Sequence, residues 1–279
     1  MSLSFLLLAG CRIGGLNGRT MTHSSKMIGS VQRAIDILNL FDGQFPELGT
    51  TEIAKALGLH KSTTASLVYT LEANGYLNQN PNSRKYRLGF KLIERAAALL
   101  NQVEIRQIAY PSLQELRKQV DETVNLGVLD GADIVFVERL LGTKALGMRS
   151  DIGKRAPAHS SAVGKAILSC LPVADVHAMI EEHGLCAMTP KTITDPGRFL
   201  LELDKVREQG FALDDEEGEL GGRCVAAPIF DHAGQPVAGV SVSVPVPRLA
   251  LDQVPAWGVR VRETARAISR NLGYLPRSY

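Results

Sequence analysis

Residues 50–77, TTEIAKALGLHKSTTASLVYTLEANGYL, constrain this chain more than any other stretch. Thr50 or Thr51 can cap a helix by accepting a backbone N–H, and Ile53, Ala54 and Leu57 then bury one face at the i, i+1, i+4 spacing. Gly58 ends that helix, because a glycine just past a helix terminus takes the left-handed conformation without a Cβ clash, and Leu59 folds inward. A second helix begins almost at once, capped by Ser62 or a neighbouring hydroxyl residue. Leu67, Val68 and Leu71 recur on its inner side, while Lys61, Thr63, Thr64, Ser66 and Thr70 stay polar. Asn74-Gly75 stops it, and residues 76–79 and 85–88 read as two strands around the turn Asn80-Pro81-Asn82-Ser83. The pattern predicts a helix-turn-helix with a hairpin wing. Ordinary helical modules share such a pattern. What points to DNA is the cluster Arg84, Lys85 and Arg87 on the hairpin, since cation–phosphate contacts supply most non-specific affinity.

The rest of the chain is too long for one small domain. At 279 residues and 45% hydrophobic content it can fill two cores. Lys+Arg 31 against Asp+Glu 29 leaves a net charge of +2, so local clusters rather than the total must carry any argument for a polyanion. Cys11, Cys170, Cys186 and Cys224 stand far apart with no C-x-x-C pair, which argues against a disulfide framework or a thiolate zinc cluster and fits a reducing cytoplasm. The six histidines form no H-x-x-x-H pair, so neither a metal nor a cofactor is expected.

Taken in order, residues 1–27 are read as an N-terminal extension. Leu8-Ala9-Gly10-Cys11 looks like a lipoprotein cleavage box, but no Lys or Arg precedes the apolar run from Phe5. A signal needs that positive start and an apolar run of about 7–15 residues, and a membrane span needs about 20. We therefore expect no export and no membrane, and read Met21 or Met27 as alternative starts. From Ser30, a plausible cap, SVQRAIDILNLF places Val31, Ala34, Ile35, Leu38 and Phe41 on one helical face. Residues 28–89 then make a winged helix-turn-helix, and residues 90–108, free of glycine and proline, a rigid linking helix that transmits orientation. Residues 109–279 mix helices and strands: helices at 112–120, 159–171, 198–209 and 261–272, strands at 123–129, 134–140, near Met148, at 211–213, 224–230 and 237–244. The class is α+β.

Several motifs together resemble the IclR family of bacterial transcription regulators: SVQRAIDILNLF, TTEIAKALGLHKST, NGYL, YRLG, AHSSAVGKAIL, TPKTITD, VREQGFALDDEE, RCVAAPIFD and VSVSVP. The resemblance spans nearly everything after Gly29. It implies an N-terminal winged helix, a linking helix and a C-terminal effector-binding domain of GAF-like architecture, assembled as a homodimer or a dimer-of-dimers tetramer on a palindromic or paired half-site operator. Members often carry His-Arg after KSTA in the second helix; Ala65 and Ser66 stand there in this chain. That departure implies a different operator, read by Lys61, Ser62, Thr63, Thr64, Ser66 and Tyr69, with Arg84, Lys85 and Arg87 on the wing.

An effector pocket for an organic or aromatic acid needs donors for the carboxylate and an apolar wall for the carbon skeleton. The turn around Ser160, Ser161, Ala162 and Val163 opens a helix and can seat a carboxylate, or simply cap the helix. The resemblance implies that Met148, Ala156, Ala162, Val163, Asp214, Cys224, Ser241 and Ser243 line the pocket. Of the acidic run only Asp214 is expected there; Asp215, Glu216, Glu217 and Glu219 read as a solvated loop. A competing reading makes Cys224 a nucleophile with His159 as its base. His159, Asp214 and Cys224 are also zinc-type ligands, without a supporting pattern.

Overall fold

The computed structural model describes residues 27–41, 45–102, 104–144 and 151–275. The lipoprotein-like box, Met21, and the strand and pocket residue expected at Met148 lie outside them. Two compact units divide between Val103 and Glu104, inside the stretch read as one linking helix. Among the described residues no helix is long and apolar enough to cross a membrane.

The first unit holds α1 (Gly29–Leu38), α2 (Thr50–Leu57), α3 (Lys61–Ala73), the hairpin β1 (Leu77–Gln79) and β2 (Tyr86–Leu88), and α4 (Lys91–Gln102). Ile37, Phe41, Ile53, Val68, Leu71 and Leu77 form its core. The buried side of α1 centres on Ile37, which the periodicity reading passed over, while Val31 and Ile35 are 54% and 44% exposed. The reason is phase: Ala34, Ile37, Leu38 and Phe41 satisfy the core, and the Val31 and Ile35 face turns away from it. Capping also differs from expectation. Helix α1 follows Ile28, whose carbonyl accepts the first N–H groups. Gly49 precedes α2, its N–H donating to Glu52 Oε2 at 2.6 Å. His60 precedes α3 with no side-chain cap. Gly58 closes α2 at φ 64°, as its position required.

The second unit is built on one antiparallel sheet in the order β5-β4-β3-β8-β7-β6. Its strands are β3 (Thr123–Asp130), β4 (Asp133–Leu140), β5 (Arg155–Pro157), β6 (Ala212–Asp215), β7 (Gly222–Phe230) and β8 (Pro236–Pro245). Directly paired residues share a face, so the register sorts side chains into layers. Asn125, Ser241 and Ala226 stand in one row; Asp214, Cys224 and Ser243 stand in the next. The other face carries Val124, Leu126, Val225, Val240 and Val242, all buried. Helices α5 (Glu104–Val120) and α9 (Val254–Asn271) pack against each other, α5 on β3 and α9 on β7 and β8. Pro111 lies inside α5 rather than between two helices.

Helix α6 (Ala162–Leu168) packs on β7 and β8, with α8 (Pro196–Gln209) against it. Its close approach depends on Gly127 and Gly239, which face each other across β3 and β8. A Cβ on Gly239 would come within 3.0 Å of Val163 Cγ1, and one on Gly127 within 3.1 Å of the same atom. The helix expected over 159–171 is shorter, because Ala158–Ser160 form a tight 3-10 turn and Ser161 caps α6 by accepting the Gly164 N–H at 2.9 Å. Helix α7 (Val173–His183), which buries only Val176 and Ile180, had no clear sequence signal.

Candidate functional site

On α3 the outward side comprises Lys61, Ser62, Ala65, Ser66, Tyr69 and Thr70, all exposed. Thr63 is half-buried. Thr64 is fully buried, with its hydroxyl donating to the His60 carbonyl at 3.1 Å, so it cannot take the base-reading role expected of it. At about 100° per residue Thr64 falls with Val68 and Leu71 on the core side. The wing turn is built by Asn80, whose Oδ1 accepts the N–H groups of Asn82 and Ser83. Arg84 takes a left-handed conformation, φ 57°. Lys85 is engaged with Glu52 at 2.9 Å, which leaves exposed Arg84 and Arg87 as the freer cations.

In the second unit a cavity of about 210 Å³ opens over the Asp214–Cys224–Ser243 row. Ala156, Ser161, Ala162, Val163, Asp214, Cys224, Ser241 and Ser243 all line it, so the sheet register and α6 bring together every expected pocket residue that is described. Phe136 and Met188 add apolar wall, and Lys154 and Arg155 stand at its edge. None of these four was expected. Arg155 is already paired with Asp130 and Asp133, at 2.8 and 3.1 Å, whereas Lys154 is exposed. Asn125 was also missed; its Nδ2 donates to Ser243 Oγ at 3.1 Å and fixes that hydroxyl. A polar residue inside the apolar strand TVNLGVLD was the available signal.

Asp214 is buried at the cavity wall. Its Oδ1 accepts the Glu217 and Gly218 N–H groups, at 2.7 and 3.3 Å. Burial, helped by the nearby Glu217 carboxylate, pushes its pKa up to about 7 against the opposing pull of those N–H groups and of Lys165. Glu217 is not solvated as expected. It turns inward onto Lys165, a fully buried lysine of α6, at 2.5 Å, where it and Glu202 at 3.5 Å balance the lysine's charge. Burial raises the Glu217 pKa, and Lys165 holds it back. Hydroxyls of Thr189 and Thr192 pin the loop by donating to the Glu216 and Glu217 carbonyls, each at 2.6 Å. Glu219 is exposed at the cavity rim.

The chemistry of Cys224 argues against a nucleophile. Its thiol donates to Ser243 Oγ at 3.1 Å, and loss of solvent together with the Asp214 charge pushes its pKa up, away from the reactive thiolate. His159 does not serve it; its Nε2 meets the Cys186 carbonyl at 2.9 Å, and burial lowers its pKa. Among the described residues no three His, Cys, Asp or Glu side chains could hold a metal ion together. Cys170 and Cys224 are free thiols.

Residues 30–81 match the family described as the IclR helix-turn-helix domain, and residues 97–270 match the bacterial transcriptional regulator IclR C-terminal domain. Over 248 residues the chain is 40% identical to the HTH-type transcriptional regulator XynR of Escherichia coli (strain K12), covering 89% of this chain and 98% of XynR. The crystal structure of Thermotoga maritima IclR is similar with a TM-score of 0.76 and 33% identity, covering 89% of this chain and all of that one (100%). An IclR homolog from Microbacterium hydrocarbonoxydans, solved in complex with 4-hydroxybenzoate, is similar with a TM-score of 0.75 and 25% identity, over 87% of this chain and 98% of its own.

Proposed function

This chain belongs to the IclR family of bacterial transcriptional regulators and is a DNA-binding member of it, and we propose that its DNA binding is controlled by a small organic or aromatic acid held in the 210 Å³ cavity. The observation that carries this reading is the meeting of Asp214, Cys224, Ser241 and Ser243 with the apolar wall Ala156, Ala162, Val163 and Phe136 around one cavity. Pockets for drug-sized ligands run about 300–1,000 Å³, so this cavity suits a smaller molecule. Serine hydroxyls and exposed Lys154 supply donors for a carboxylate. The homolog bound to 4-hydroxybenzoate supports an acid of that size.

In this reading residues 28–89 bind DNA, residues 90–108 link, and residues 109–279 hold the effector. Bases are met by the exposed face of α3, with Arg84 and Arg87 on flanking phosphates. The unit of action is a homodimer, or a tetramer made from two, acting in the cytoplasm. Support for self-association comes from exposed apolar residues, Met27 and Ile28 just before α1 and Val31 and Ile35 on it, because such patches mark interfaces. Two copies of α3 must reach major grooves about 34 Å apart, so an effector that changes their spacing changes affinity.

The deciding experiment is a mobility-shift assay of the purified chain on its own upstream DNA, with a panel of small carboxylic and aromatic acids. Saturable binding that one acid weakens or strengthens is expected. Binding unaffected by every acid, while the cavity also fails to protect the protein thermally with any of them, would sink the effector assignment.

A further inference from the structure

Building on the reading of α3 as the helix that meets DNA, we infer that this protein reads its half-site chiefly through the 5-methyl groups of thymine, with Tyr69 as the residue that sets the preference. The exposed residues of α3 fall on one continuous face. At about 100° per residue, Lys61 and Thr70 lie at its two edges and Ser62 and Tyr69 near its centre. Tyr69 is 70% exposed and is the largest side chain on that face.

Two hydroxyls of this face are turned back onto the helix. Ser66 Oγ donates to the Ser62 carbonyl at 3.2 Å, and Thr70 Oγ1 donates to the Ser66 carbonyl at 2.9 Å. With its oxygen on the helix, Thr70 has its methyl group left for the outside. Ala65 adds another methyl. Residues 61–70 contain no arginine, asparagine or glutamine, the side chains that pair bidentately with guanine or adenine edges. Lys61, the one residue of this stretch with a guanine-pairing cation, stands at the edge of the face. Beside the Ser62 hydroxyl, the main surface that the centre of the face offers is the Tyr69 ring, and the carbon group that the major groove offers in return is the thymine methyl. Burying one methyl changes affinity about fourfold, the equivalent of about 0.8 kcal/mol.

The test starts from selection of binding sites from a random duplex library by the full-length protein. Each thymine of the selected site is then replaced in turn by deoxyuridine, which removes only the methyl group. We expect T at one or two positions of each half-site where deoxyuridine weakens binding about fourfold. Tyr69→Ala should bind the thymine and deoxyuridine duplexes equally, while Tyr69→Phe keeps the difference, because the ring rather than the hydroxyl makes the contact. Thermal melting confirms that these exposed substitutions leave the fold intact. A site insensitive to deoxyuridine, or a methyl preference that survives Tyr69→Ala, overturns the inference while leaving the regulator reading in place. Selection of no sequence at all overturns both.

Discussion

Asp214 shows how burial, rather than residue type, sets what a side chain does. Its folded-state pKa of about 7 lies far above the ordinary value of 3.8. Between about pH 4 and pH 7 the unfolded chain has therefore lost a proton that the folded chain keeps, so this residue makes stability fall as pH rises through that window and level off above it. Glu217, shifted in the same direction, adds to the slope. Asp214→Asn should reduce the decline and be more stable than the parent at pH 8, since an amide oxygen can still accept the Glu217 and Gly218 N–H groups. Urea unfolding followed by the single tryptophan, Trp257 on α9, reports on this unit. An unchanged pH slope in the variant would show that Asp214 ionises freely in the fold. Lys165 illustrates the same rule from the other side: fully buried, it is met by the carboxylates of Glu217 and Glu202.

At the scale of elements, the wing separates cations by their partners. Arg84 and Arg87 are exposed on the hairpin, while Lys85 already neutralises Glu52. Replacing Arg84 or Arg87 by alanine should weaken DNA binding uniformly across sequences and reduce the salt slope by about 1 for each arginine that meets a phosphate. Lys85→Ala should change the slope less. Binding titrations from 50 to 200 mM salt, roughly the range over which such contacts are felt, make the comparison, and a larger effect from Lys85 than from the arginines would refute this ranking. Helix α6 is placed by a different device. Gly164 touches Ala158, where a Cβ would come within 2.0 Å of the carbonyl oxygen, and Val163 seats over Gly127 and Gly239. These three glycines let one short helix close the cavity from above the sheet.

For the whole molecule, the exposed stripe on α1 predicts association. Val31 and Ile35 face away from their own core, so charge placed there should leave each unit folded and weaken self-association. Sedimentation of the parent protein and of a Val31→Glu, Ile35→Glu double variant at micromolar concentration is the comparison; a dimer or tetramer is expected for the first and a shift toward monomer for the second. Weaker paired-site DNA binding should accompany that shift. A parent protein that sediments as a monomer would remove the spacing mechanism, because one helix cannot measure a distance between two grooves.

Much of the order of elements was legible in the sequence because it depends on local physics, α7 and the short β5 being the exceptions. Gly58 ended α2, Asn80-Pro81 turned the wing, and residues 237–244 read as the strand that became β8. The motifs likewise pointed to the family and to the cavity residues. Other features depended on which neighbours arrive through space. Periodicity could not set the phase of α1, where Ile37 rather than Ile35 meets the core. Nor could it send Thr64 inward, turn Glu217 onto Lys165, or seat Asn125 beneath Ser243, since each follows from strand register and helix docking between residues distant in sequence. An acidic run looks solvated until a buried lysine is known to stand behind it. The sequence alone determined most of the elements and the chemistry available to them; the tertiary structure decided which side chains are desolvated, and desolvation is what gives Asp214 and Cys224 their properties.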